Sequence, residues 1–420
     1  MRPIAWRSLA LSSVLAGIAL VHAAVRPHYG GVLHMLTLEP LATLNADDPA
    51  GALIAETLVM LDEHGEVRPK LAVFWQSEGG ARRWRFTLRP HVNFHDGTPL
   101  TAAAVASLLS GAVKNTTVYA AGPNVLFASQ MPIVNLPREL ARPRSAIFRR
   151  SGDSALIGTG PFRLKQLELG MRVTLIANEE HWGGRPYLDS VIIERSAHAS
   201  TAGIIELPPN TSTRQIPEKL RISVTLPAEL YAISLPANIP QSTRDSLAAS
   251  IDRSAIANVL LQKRAEPAGG LIPQWLSGFD FLFPRSRRIL PVPRTQPIAL
   301  GYSNDDPVSR LIADRIAVNA RDAGIMLQPS PLSAAARLVR IRINSTDAEQ
   351  ALVDVAANLN LDLNTDLSSL EKLYAAERAL LADGRVIPIV FVSQLLGLQP
   401  NIRGWDQSRP WQLENVWIAP

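Results

Sequence analysis

Two short stretches of this chain have residue types and spacings that could carry chemistry. His91, His95 and Asp96 are donors of the kind that hold a divalent metal, and on a strand His91 and His95 would share a face. Pro90 before them and Asp96-Gly97 after them read instead as a structural turn in which Asp96 accepts from the backbone, so no metal is expected. Gly158-Thr159-Gly160 has the small residues of a phosphate-cradling loop, but no Lys-Ser/Thr follows and Pro161-Phe162 leads into a strand. There is no Gly-x-Ser-x-Gly elbow, and nothing in the spacing sets a base beside a nucleophile. Cysteine is absent, which removes thiolate catalysis, cysteine-ligated zinc, iron–sulfur clusters, disulfides and a lipidated N-terminal cysteine. The expectation is a protein that is not an enzyme and uses no cofactor.

The elements that must position any site come from 420 residues, 47% hydrophobic and 19% charged, enough to bury a large core in two or three domains. With 32 prolines, 25 glycines and 6% aromatics, a loop-rich mixed fold is favoured over a helical bundle. Arg2 and Arg7 precede an apolar run from Leu9 to Val21, and Val21-His22-Ala23 suits a signal peptidase, so residues 1–23 read as a cleavable secretory signal. The run is shorter than the roughly 20 residues that span a bilayer. Losing its two arginines lowers the net charge from +5 to +3. The clusters Arg138 to Arg150 and Arg285 to Arg294 sit among prolines and read as solvated loops, so no nucleic-acid face is expected.

Strand patterns occur at Gly31 to Leu38, Trp84 to Arg89, Val92 to His95, Arg172 to Ile176 and Leu188 to Glu194, with a helical period over Ala50 to Met60. Trp84, Phe86 and Leu88 should face one core, and Thr101 should cap a helix over Ala102 to Leu109. Helices follow at Thr243 to Ala249 and, capped by Asp252, at Ser254 to Gln262. Pro297 to Tyr302, a helix opened by Asp306-Pro307 and closed by Gly324, and Ile325 to Leu327 form a β-α-β unit with parallel strands. Ser368 and Glu371 form a capping box for a helix ended by Gly384, before a strand from Val386 to Val392. The tail from Gln399 holds three of the eight tryptophans and is expected to pack back onto the body.

Phe94-His95-Asp96-Gly97-Thr98-Pro99-Leu100-Thr101 closely resembles the signature of the family 5 extracellular solute-binding proteins, the oligopeptide- and dipeptide-binding components of ABC importers. Gly158-Thr159-Gly160-Pro161-Phe162, His181-Trp182-Gly183-Gly184-Arg185-Pro186-Tyr187 and Ala249-Ser250-Ile251-Asp252-Arg253 match in the expected order, and Arg403-Gly404-Trp405 resembles the family's final return. The resemblance implies an α/β, two-lobed periplasmic binding protein fold (type II, large peptide-binding subtype) with a hinge and a ligand cleft between lobes. The lobes are expected as residues 24–234 with 392–420 (lobe I, β-rich) and 235–391 (lobe II, β-α-β). It implies a monomer in the periplasm that captures a small solute, a short peptide above all, and delivers it to an ABC permease in the inner membrane. The missing cysteine makes it freely diffusing rather than a lipoprotein.

Between Leu332 and Asn364 the family's tryptophan- and aspartate-rich loop, which grips a peptide's ammonium, does not align. Asp347, Asp354, Asp362 and Asp366 are carboxylates in unmatched surroundings. That keeps open a metal chelate such as nickel, a sugar or a cell-wall peptide as ligand, and also a sensor or interaction protein without transport. Three residues are candidates for ligand binding. Glu39 follows the first strand, Tyr231 lies near the expected first crossing between lobes, and Trp275 sits in a loop after Gly269-Gly270 and Pro273.

Overall fold

The computed structural model describes residues 26–420 except 39–40, 42–43, 47, 63–64, 114, 153–154, 196–201, 279–295, 333, 344, 346, 364, 366, 368 and 408–410. The secretory signal, the Arg285 to Arg294 cluster, Glu39, Asp366 and Ser368 therefore lie outside the described residues.

The alternating segment after Gly31 forms the strand Val32–Thr37, with Leu33 and Met35 buried. It runs parallel to Ser190–Arg195 on one side and Ile204–Leu207 on the other, inside a seven-stranded sheet. The far end of the chain completes that sheet: Leu395–Leu398 is inserted between Ile204–Leu207 and Arg221–Val224. Trp417 is buried, and Trp405 and Trp411 pack against the same core, so the tail does return to the body.

A second, six-stranded sheet has Val386–Val392 and Glu229–Ser234 as neighbours near its centre. Val386–Val392 is buried at every position, as a strand covered on both faces must be. Ile298–Gly301 and Leu327–Ser330 pair in parallel across the helix Pro307–Asp322, capped by Asp306 with Pro307 in its first turn. The strand holding Tyr231 belongs to this sheet and not to the first. A four-stranded sheet, Ala72–Glu78, Arg83–Leu88, Asn124–Ala128 and Thr117–Ala121, packs with the helix Ala102–Leu108. Thr101 accepts from the Ala104 N–H at 3.1 Å as expected.

Three local expectations fail, and a fourth, the helix capped by Asp252, holds with altered geometry. Ala50 to Met60 contributes only the short helix Pro49–Ala52 and then leaves helical geometry, because the backbone of Leu53 to Glu56 bonds to distant segments. Val92 to His95 makes one bridge, Asn93 with Pro99, rather than a strand. After its Asp252 cap the helix Arg253–Ala255 widens into a π-helical turn, Ile256–Leu260. The helix Leu370–Leu381 is capped by Ser369, whose side chain accepts from the Lys372 N–H, so Glu371 is not the partner of a capping box.

Candidate functional site

The motifs read separately along the chain meet in space. His95 donates its backbone N–H to Gly158 O at 2.9 Å and its ring Nε2–H to Gly160 O at 3.0 Å, while ring Nδ1 accepts from the Gly158 N–H at 3.4 Å. Both ring nitrogens thus serve the backbone. His91 is exposed, at a positive φ of 58°. Asp96 accepts from the Thr98 N–H and hydroxyl, which hold its carboxyl below the usual range with help from Arg149. A Cβ on Gly158 would come within 2.0 Å of the Ile54 carbonyl oxygen and one on Gly160 within 2.5 Å of the Leu53 carbonyl oxygen, which is why glycine stands at both.

Beneath that contact sits Glu56, 2% exposed, which sequence reasoning missed. Its carboxylate accepts from Thr159 Oγ1 at 2.9 Å and Trp182 Nε1 at 2.8 Å; His181 Nε2 lies at 3.5 Å and Lys70 Nζ at 3.8 Å. Burial pushes the carboxyl up, but His181, Lys70 and Trp182 outweigh it and hold it below the ordinary glutamate value. The available signal was a single acid within the largely apolar Leu53 to Met60 stretch.

The chain passes between the two large sheets twice, at Thr225 to Ala228 and at Ser393-Gln394. The passages bond to each other: Thr225 N–H to Gln394 O at 3.1 Å, and Gln394 N–H to Thr225 Oγ1 at 3.0 Å. Beside them Glu229 accepts from Arg340 at 2.6 Å and Arg342 at 2.8 Å. Burial opposes this charge, and the two guanidiniums reverse the effect and lower the carboxyl. Arg342 also lies 3.9 Å from Glu206 of the first sheet. Tyr231 lines this junction but is buried, its hydroxyl donating to Asp306 at 2.6 Å; burial raises that hydroxyl well above its usual range. Trp275 is 38% exposed and donates Nε1–H to Pro227 O at 3.0 Å, bracing the first passage. Structure thus separates Tyr231 from Trp275 by role, and Glu39 is outside the described residues.

The Arg138 to Arg150 cluster is solvated in part, at Arg144 and Arg150, but not at Arg142. Arg142 is buried and joins Glu139 at 2.6 Å and Asp347 at 2.9 Å, with Arg138 3.8 Å from Asp347. Asp347 caps the helix Ala348–Asn358 beside the second sheet, so this pair ties that unit to the four-stranded unit. Arg149 bonds Asp96 and lies over the Phe94 ring. Of the four carboxylates considered for the amine anchor, Asp347 is already engaged in this ion pair.

Next to the clasp is a cavity of about 200 Å³ whose lining includes Thr57, Met60, Lys70, Arg142, Ser345 and Gln412. It is walled from both sides, since Ser345 lies two residues before Asp347 while Met60, Lys70 and Gln412 belong to the other face. A larger space of about 590 Å³ adjoins it and shares Ala52, Met60, Lys70 and Gln412. None of these lining residues was a candidate from sequence.

The pattern of bacterial extracellular solute-binding proteins, family 5 middle, matches residues 66–370, well over half of the chain. The chain is a family 5 extracellular solute-binding protein. This solute-binding protein is 25% identical over 334 residues to the probable D,D-dipeptide-binding periplasmic protein of Escherichia coli, covering 66% of this chain and 64% of that protein. It is 22% identical over 283 residues to the nickel-binding protein NikA of Staphylococcus aureus, covering 61% and 57%. Matches to curated relatives span 26% to 64% of those proteins' own lengths. In fold it is similar to the periplasmic binding protein DppA of Helicobacter pylori in complex with the peptide STSA, with a TM-score of 0.78 at 14% identity over 94% of this chain and 99% of that one. The two-lobed α/β fold of periplasmic binding proteins is therefore its fold. No helix among the described residues is long and apolar enough to cross a membrane.

Proposed function

We propose that this protein is the periplasmic receptor of an ABC importer, closing two lobes on a small solute and presenting the closed form to a membrane permease. The lobes are the seven- and four-stranded units, closed by residues 395–420, against the six-stranded unit of residues 229–392. The two bonded passages form the hinge, and Trp275 braces it. The observation that supports this reading best is the cavity beside Arg142, lined by both units at the edge where they meet. A ligand there touches both lobes and so stabilises the closed form by its preference for it. A micromolar ligand is worth about 8 kcal/mol, which bounds the cost of closure it can offset.

A short peptide is the proposed ligand. A metal chelate is the second reading, favoured by the nickel-binding relatives of this chain. Native mass spectrometry of the protein purified from its own periplasm reads the mass of any co-purified solute and separates the two. Thermal shift with dipeptide and tripeptide pools, and with nickel–histidine complexes, gives the second measure, because a ligand at a hundred times its Kd adds about 2.7 kcal/mol. No stabilisation by any peptide pool, with a clear shift from the chelate, sinks the peptide reading.

A further inference from the structure

The 590 Å³ space has a chemical character of its own. Among the described residues, its titratable lining groups are Glu56, Lys70, His181 and Glu414. Glu56 is buried and faces Lys70, so the two cancel in charge. The His181 ring is taken up by Gly184 O at 3.2 Å and by Glu56. What remains is Glu414, a part-exposed carboxylate on the returning tail, in a space walled by the indoles of Trp182 and Trp411. Trp182 already serves as a cation acceptor, since the Arg89 guanidinium lies 4.1 Å from its ring centroid. A carboxylate next to an aromatic face favours a positive guest, because the ring quadrupole and the carboxylate act in the same direction.

We propose that this side cavity binds an organic cation, an ammonium carried on an apolar or aromatic group, with Glu414 as its counter-ion and Trp411 as its ring face. The shared walls at Ala52, Met60, Lys70 and Gln412 make the cavity a branch of the cleft, so the inference rests on the solute-binding reading in one respect: the guest is the amine-bearing end of the solute that enters there.

The test uses the full mature chain and three probes of one shape, benzylamine, benzyl alcohol and benzoate, titrated by calorimetry. Benzylamine is expected to bind, and benzyl alcohol and benzoate to bind at least tenfold more weakly. Glu414→Gln is expected to weaken benzylamine about tenfold, equivalent to about 1.4 kcal/mol, while leaving the ligand-free melting temperature unchanged. Trp411→Leu should weaken it as well; if that variant melts early, Glu414→Gln alone decides. Benzoate binding as tightly as benzylamine, or Glu414→Gln binding benzylamine like the wild type, overturns the proposal. Thermal shifts by peptide or chelate that persist in Glu414→Gln show that only the side cavity has failed. Their absence in the wild type shows instead that the cleft reading has failed.

Discussion

Two glutamates, one in each half of the molecule, are almost equally buried and differ in every other respect. Glu56 is 2% exposed and Glu377 1%. Glu56 gathers a hydroxyl, an indole, an imidazole and an ammonium from three distant segments, and these hold its carboxyl below the ordinary value against the pull of burial. Among the described residues Glu377 accepts from the N–H groups of Leu271 and Ile272 alone, and burial pushes it up to about 7. Gly270 leaves room for it, since a Cβ there would lie 2.4 Å from its Oε1. The contrast shows that burial alone does not set a carboxyl's charge state: convergent partners favour the anion of the first, while the second keeps its proton up to about pH 7 because backbone dipoles alone do not offset desolvation.

The largest way to test this is Glu56→Ala. Removing the carboxylate leaves the buried Thr159 hydroxyl and the half-buried Lys70 and Trp182 without their acceptor, and a loss of about 3 kcal/mol is expected in denaturant unfolding. A loss below about 1 kcal/mol would mean that the convergence at Glu56 is decorative.

Glu377→Gln reads the opposite sign. A carboxyl raised from 4.5 to about 7 on folding binds more protons in the native state, so its contribution falls as pH rises between those values. The wild type should lose about 3 kcal/mol across that window relative to the glutamine variant, whose profile there is flatter. Glu56 works the other way: its stabilisation is present above 4.5 and is lost as pH falls through its lowered native value. In melting curves from pH 4 to 8 both variants should differ most from the wild type at the high-pH end and in opposite directions, Glu377→Gln gaining on it and Glu56→Ala falling below it.

Asp347→Asn tests a third acid, held chiefly by Arg142 with Arg138 nearby. The amide keeps the helix cap and loses the ion pair, so about 1–2 kcal/mol and a larger ligand-free radius of gyration in small-angle scattering are expected. An unchanged radius would mean that the clasp does not hold the units together. The smallest effect belongs to Arg185→Ala, whose partners Glu179 and Asp189 are exposed; less than about 1 kcal/mol is expected, which sets the baseline for the buried groups.

Much of the fold was legible in short-range terms. Thr101, Asp306 with Pro307, and the alternating strand before Leu38 act as written, because a cap or a pleat depends on residues within one turn. Ala50 to Met60 has a helical period yet is largely not helical, because Gly160, Phe162 and Ile147 bond its backbone from about a hundred residues away. Arg142 departs from the solvated-loop reading of its cluster for the same reason, since its carboxylate partner Asp347 comes from the other half of the chain. Of the candidate binding residues, Tyr231 reaches the junction but spends its hydroxyl on Asp306, and Trp275 serves the passage at Pro227.

By itself the sequence determined the family, through four motifs in order, and excluded sulfur chemistry, because both depend only on which residues are present and how they are spaced. Tertiary structure decided that those motifs converge on Glu56 and His95, that Arg142 clasps Asp347, and that Lys70, Trp411 and Glu414 come to line one space. Charge balance in a buried site depends on distances between segments far apart in the chain, and no local pattern encodes them.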